Sequence, residues 1–385
     1  MDPTSIFKRV VSSLIGAGVV WIACILLCTC TWVQRQVFYA HKLPIWWGQQ
    51  LDKPERFGFL KDQVIPFYIP TKDGHRLYVW LITPLQVYAR HESIILQDSA
   101  KLYGDVRDRV AFKLLVDDPK SRVIIYFHEN AGTVGQTRRT DAYRMISSGT
   151  PKPVYVLAFD YHGFVRSTGT PTEGTLTQDA IDVTGWVIEV ANIPADRIVL
   201  VAQSLGTAVA CAAAHHFIDK EPKVEFAGMV LCVTFTDAAT VFLNYSIGGY
   251  VNLLAPLRQS NMLTTWFAGQ ITDTWKSADR IVRIVRKSSR LRMTFVHATN
   301  DTIVPWTQTD RLCHLAVNAL EVQDLSTQAI DERRRTTDLG EGGWIHSWGN
   351  GQNLVQEVIL KHGGHNGIMK WAPVALAVTK ALDNR

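Results

Sequence analysis

The sequence predicts an α/β fold with a doubly wound, mostly parallel sheet, and three observations carry that prediction. The runs Val123–Phe127, Val154–Phe159 and Ile198–Val201 are unbroken, apolar and rich in β-branched residues, the pattern of strands buried on both faces of a parallel sheet. Strands, irregular loops and helical stretches such as Gln178–Ala191 alternate along the chain, a rhythm that implies right-handed crossovers. The composition, 47% hydrophobic and 19% charged over 385 residues, is that of one large domain with additions and a well-filled core.

Composition also narrows the partners. The net charge is +5, and no Lys/Arg run interleaved with aromatics tracks a phosphate backbone, so a nucleic-acid partner is not expected. Of six cysteines, Cys24, Cys28 and Cys30 lie in an N-terminal apolar stretch, while Cys211, Cys232 and Cys313 stand singly. That spacing encodes neither a disulfide framework nor a cysteine zinc site.

The stretch Val10–Trp32 carries no charge and is preceded by Lys8 and Arg9; as a helix it is long enough to cross a bilayer. A short tail (1–9), a transmembrane anchor (10–33) and a juxtamembrane linker (34–64) are therefore expected before the main domain (65–385). The stretch is long for a signal peptide and lacks a small-x-small cleavage site. Lys8 and Arg9 before it balance Arg35 and Lys42 after it, so charge does not orient it. Trp32, Phe38, Tyr39, Trp46 and Trp47 read as an interfacial aromatic belt.

A hairpin turn at Thr71-Lys72-Asp73-Gly74 separates Phe67–Ile69 from Leu77–Trp80. The segment from Leu85 to Asp118 is charged and without a clear period, and reads as a surface insertion. The strand Val123–Phe127 ends in His128-Glu129-Asn130-Ala131-Gly132, and Val154–Phe159 leads into a long Gly- and Pro-spaced loop, Asp160 to Pro171.

At Ile198–Val201 the chain reaches Ala202-Gln203-Ser204-Leu205-Gly206 and then an Ala-rich helical stretch. This is the nucleophile elbow of an α/β-hydrolase, with Ala202 where the pattern G-x-S-x-G has glycine. The elbow makes Ser204 the nucleophile. The fold then assigns the oxyanion hole to two backbone N–H groups, that of Leu205, one residue after the serine, and that of Asn130 in the loop after the third strand. Glu129 stands at a position usually held by glycine, with its side chain expected to point to solvent.

Between Thr236 and Arg290 an interval rich in Val241, Phe242, Leu243, Tyr245, Tyr250, Leu253, Met262, Trp266 and Phe267 reads as a cap, expected over about 236–290, that lines an acyl-chain pocket. Asp301, just beyond the strand Leu291–Val296 and ahead of Val304-Pro305, is the expected triad acid, with Asp237 as the alternative. The last strand, Leu354–Leu360, delivers both His362 and His365. Leu325–Asn350 is a polar insertion without an assignment.

The segments F-H-E-N-A-G, F-D-Y-H-G-F-V-R-S-T-G-T-P and A-Q-S-L-G-T together resemble the membrane-anchored serine hydrolases of the lysophosphatidylserine and monoacylglycerol lipase group, over roughly Val123 to Asp383. The sequence departs from that group at Glu129, Ala202, His162 (commonly arginine) and Val165 (commonly glycine). The resemblance favours His365, which matches its G-G-H-N pattern, over His362 as the catalytic base.

The resemblance implies a single-pass protein of the endoplasmic reticulum or another endomembrane. It implies hydrolysis of lipid carboxylic esters, monoacylglycerol or lysophospholipid, through an acyl-Ser204 intermediate with Asp301 and His365 as partners. This chemistry needs no metal and no organic cofactor. The alternatives of the same fold are a protein-depalmitoylating thioesterase or a peptidase, and a non-catalytic binding protein. Asn244-Tyr245-Ser246 and Asn300-Asp301-Thr302 fit the glycosylation pattern.

Overall fold

In a computed structural model that describes residues 3–42, 50–98, 104–246, 252–321, 325–349 and 352–383, the alternating apolar runs become one ten-stranded sheet. Helices α1 (Pro3–Cys28) and α2 (Thr31–Tyr39) precede the hairpin of β1 (Val64–Pro70) and β2 (Arg76–Ile82). Then follow α3 (Leu85–Leu96), α4 (Val110–Asp117), β3 (Arg122–Phe127), α5 (Thr137–Ile146), β4 (Val154–Phe159), α6 (Glu173–Glu189), β5 (Ile198–Gln203), α7 (Leu205–Ile218) and β6 (Gly228–Cys232). Helices α8 (Ala238–Asn244), α9 (Asn261–Gly269) and α10 (Ser277–Lys287) lead to β7 (Arg292–Ala298) and α11 (Thr307–Ala319). The chain ends with α12 (Thr327–Arg333), β8 (Arg335–Asp338), β9 (Gly343–Gly349), β10 (Leu354–Leu360), α13 (Gly364–Gly367) and α14 (Ala372–Asp383).

The strand order is β1-β2-β4-β3-β5-β6-β7-β10-β9-β8. The pairs from β4 through β10 are parallel, and the flanking pairs are antiparallel. Alternation along each central strand feeds two cores. Val123, Ile125 and Phe127 of β3 and Ile198, Leu200 and Ala202 of β5 face one of them. Ile124, Tyr126, Val199 and Val201 face the other.

Three segments differ from the sequence expectation. Leu85–Asp118 is mostly helical, because Val87, Tyr88 and Ile95 of α3 and Ala111, Phe112 and Leu115 of α4 form short buried faces diluted by charge. The unassigned 325–350 insertion is α12 followed by the β8–β9 hairpin, which extends the sheet edge beside β10. Within the expected cap, α10 packs on α7 and is a crossover helix of the main domain, so the part that stands apart from the sheet layers ends before Ser277.

The N-terminal region is divided differently as well. α1 ends at Cys28, and turn hydrogen bonds from Thr29 and Cys30 to the Leu26 and Leu27 carbonyls separate it from α2. Among the described residues, Thr4–Cys28 is the one helix long and apolar enough to cross a membrane. Among the described residues of the expected linker, Tyr39, Leu51 and Phe59 are buried in the domain. Tyr39 donates to Asp273 Oδ2 (2.9 Å), Gln34 donates to the Gln270 carbonyl (2.8 Å), and Trp21 Nε1 donates to the Leu253 carbonyl (2.8 Å). Of the aromatic belt, Trp32 is exposed and Tyr39 is core; Trp46 and Trp47 lie outside the described residues, as does Tyr250 of the cap interval. All six cysteines are unpaired.

Candidate active site

The elbow follows from two local constraints. Ser204, between β5 and α7, has φ 51° and ψ −121°, a conformation that costs a non-glycine residue energy and holds its hydroxyl out of the strand. Its N–H donates to the Cys232 carbonyl (2.9 Å), which fixes the turn to β6. A Cβ at Gly206 would lie 2.1 Å from the Phe127 carbonyl oxygen, so glycine is obligatory there. Ala202, in contrast, faces the packed core as an ordinary strand residue, and this explains why alanine serves at that position.

The structure brings Ser204, His365 and Asp301 together from the ends of β5, β10 and β7. His365 Nε2 lies 3.1 Å from Ser204 Oγ, and His365 Nδ1 lies 2.9 Å from Asp301 Oδ2. Asp301 Oδ1 accepts the N–H groups of Ile303 (2.8 Å) and Val304 (3.0 Å). Burial works to raise the Asp301 pKa, but hydrogen bonds from His297 and His365 outweigh it and hold the carboxyl well below the usual carboxylate range. The alternatives lie elsewhere: Asp237 caps α8 by accepting the Thr240 N–H (2.8 Å), and His362 is exposed.

Two supporting residues escaped the sequence reading. Gln203 Nε2 donates to the His365 carbonyl (2.8 Å), tying the residue before the serine to the histidine loop. His297, fully buried, has Nδ1 2.6 Å from Thr309 Oγ1 and Nε2 3.1 Å from Asp301 Oδ2. Thr309 donating to Nδ1 leaves the proton on Nε2, where it faces the carboxylate. The i, i+4 spacing of His297 and Asp301 was the available signal. Replacing Gln203 with alanine is expected to lower kcat about ten-fold through one lost buried hydrogen bond, with fluorophosphonate labelling retained; steady-state kinetics checks this.

The Asn130 loop is held from beneath. The Glu129 side chain does not point to solvent; it is 1% exposed and pairs with Arg138 (Nε to Oε1, 2.8 Å) and Arg139 (Nε to Oε2, 3.0 Å). Burial opposes its ionisation, but the two guanidinium groups prevail and bring its pKa to about 2. Arg139 also donates to the carbonyls of Glu129 (3.0 Å), Ala131 (2.7 Å) and Thr133 (2.8 Å). A charged group thus replaces the flexibility of glycine at position 129. The signal was the glutamate itself, followed nine and ten residues later by Arg138 and Arg139. Arg139→Met is expected to cost about 3–5 kcal/mol by stranding a buried carboxylate, and adding Glu129→Gly is expected to recover part of the loss; denaturant melts of both variants measure it.

The loop is also closed from above by α2. The Ala131 N–H donates to the Tyr39 carbonyl (2.8 Å) and Asn130 Nδ2 to the Phe38 carbonyl (3.1 Å). Among the described residues the backbone N–H groups of Asn130 and Leu205 make no backbone hydrogen bond, and both residues border a cavity of about 220 Å³ lined also by Ser204 and His365. Its apolar wall comes from Phe38 of α2, Phe235, Val241 and Phe242 of the cap, and Ile303. Of the other cap residues, Leu254, Leu257 and Phe267 pack inward, and Met262 and Trp266 are exposed.

No protein-family model matches the chain. It is 24% identical over 319 residues to the lysophosphatidylserine lipase ABHD12 of Xenopus tropicalis, covering 81% of this chain and 72% of that one. It is 28% identical to the protein of the same name from Gallus gallus over 57% of this chain and 52% of the relative. The chain thus spans between about half and three quarters of these curated relatives. Among solved structures, an α/β hydrolase from Vibrio vulnificus superposes with a TM-score of 0.54 at 10% identity, covering 87% of this chain and 86% of that one. The Pyrococcus furiosus esterase Pf2001 gives 0.50 at 12% identity, covering 86% and 92%.

Proposed function

We propose that this chain, which has the α/β-hydrolase fold, is an esterase of the lipase type that cleaves the carboxylic ester of monoacyl lipids, monoacylglycerol or lysophospholipid, from a membrane. The observation that carries the reading is that the helix continuing from the apolar α1 forms part of the wall of the serine cavity, through Phe38. α1 is taken as a single-pass anchor in an endomembrane, and a lipid acyl chain then enters between α2 and the cap beside Phe38, Val241 and Phe242. The relatives named as lysophosphatidylserine lipases support the same class of substrate.

Ser204 acts as nucleophile. A serine hydroxyl attacks at neutral pH only when a base takes its proton, and His365 Nε2, at 3.1 Å, is placed to do so. Asp301 holds the imidazole in the required tautomer and stabilises the imidazolium. The oxyanion is received by the Asn130 and Leu205 N–H groups, and the alcohol or glycerol headgroup leaves with the proton from His365. Water, activated by the same histidine, releases the fatty acid from Ser204.

The test is turnover by the full chain in lipid nanodiscs. Long-chain monoacylglycerol or lysophospholipid should be hydrolysed faster than a short-chain ester and faster than an S-acylated peptide. Preference for the acylated peptide would move the protein to the thioesterases, and preference for the short ester would remove the role of the apolar wall.

A further inference from the structure

His162 belongs to a cluster that the hydrolytic site does not use. His162 follows β4 and is 1% exposed. Its Nδ1 is hydrogen-bonded to the buried Asp179 carboxylate of α6, and its backbone N–H donates to the other oxygen of that carboxylate (2.7 Å). The ring is clamped by Gly169, φ 93°, where a Cβ would meet His162 Cδ2 at 2.3 Å. With the Nδ1 proton given to Asp179, Nε2 presents a lone pair.

That Nε2 is buried and without a hydrogen-bond partner. It nevertheless lies 3.2 Å from Asp73 Oδ2 in the β1–β2 turn. A neutral His162 with its proton on Nδ1 leaves two electron-rich atoms facing each other there, which need either a proton or a metal cation between them. A second imidazole stands beside them: the His75 and His162 rings are 4.9 Å apart, and His75 Nδ1 lies 3.1 Å from Thr168 Oγ1. One ligand atom each from Asp73, His75 and His162 lies within 4.8 Å of the others.

We propose that Asp73, His75 and His162 bind a divalent first-row transition ion, zinc in the first instance, at the surface junction of the β1–β2 turn and the loop after β4. Two imidazole nitrogens and one carboxylate oxygen are the ligand chemistry of zinc, with water in the fourth position. The Asp179–His162 pair supplies the carboxylate that orients a metal-bound histidine from behind. Asp73 is partly exposed, so the ion has a path from solvent. Its role is to join the hairpin to the 160–172 loop; the reaction at Ser204 does not involve it.

The test is zinc binding to the full chain in detergent micelles after chelator treatment, read by competition with a chromophoric chelator and by the ligand-field spectrum of Co2+. One equivalent should bind. His75→Ala and Asp73→Asn, both at the accessible turn, should each weaken affinity about ten-fold or more. His162→Arg, with folding checked by circular dichroism, should abolish the site and its Co2+ spectrum. The proposal is overturned if no ion binds, or if the ion binds equally to wild type and His162→Arg, in which case His162 is simply an imidazolium paired with Asp73 and Asp179.

Discussion

Ser204→Ala lowers lipid ester turnover by about 10⁴-fold or more, the scale seen when a nucleophile that acts as one unit with its base is removed. The loss falls on kcat, because the apolar wall of Phe38, Val241 and Phe242 still binds the acyl chain. The variant remains folded: alanine introduces no volume, and the Ser204 side chain makes no structural hydrogen bond besides that to His365. Stability is even expected to hold or rise slightly, since removing functional groups from strained sites relieves cost. A fluorophosphonate-reactive Ser204→Ala protein would show that another residue carries the chemistry.

The second large effect is expected at Asp301. Asp301→Asn is predicted to reduce kcat about 10⁴-fold, because the amide favours the wrong imidazole tautomer while preserving shape. The effect reaches further here than at one histidine, since Asp301 Oδ2 faces both His365 Nδ1 and His297 Nε2. An amide nitrogen in that position would confront two donors. Asp237→Asn is the matched comparison: it perturbs only the α8 cap, with an expected cost of at most about 1 kcal/mol and kcat unchanged within about two-fold. Steady-state kinetics on the pair distinguishes the acid from the cap.

How much of this was legible in the sequence depends on whether the information was local. The strands β3, β4 and β5 were readable because each contains a continuous run of apolar residues. Ser204 was expected from the five adjacent positions of the elbow and Asp301 from its place after a strand, whereas only the resemblance in G-G-H-N separated His365 from His362; the structure brings these three side chains together. Gln203 and His365 are 162 positions apart, and nothing at either position announces the hydrogen bond between them.

The same reason hid the role of α2. Phe38 and Tyr39 follow an apolar stretch and carry the composition of a bilayer interface. Only the fold reveals that their carbonyls accept hydrogen bonds from the Asn130 loop and that Tyr39 reaches Asp273. Glu129 was misread for a related cause: its counter-charges, Arg138 and the buried Arg139, lie in the first turn of α5, and burial of a carboxylate is decided by such partners rather than by its neighbours in sequence.

The measurement that tests the central assignment most directly is the position of a covalent adduct. The full chain is treated with a fluorophosphonate, digested, and the modified peptide sequenced by mass spectrometry. The assignment predicts one adduct, on Ser204, formed by wild type and Asp237→Asn and lost in Ser204→Ala. An adduct on any other residue, or a folded wild-type protein that forms none, would contradict it.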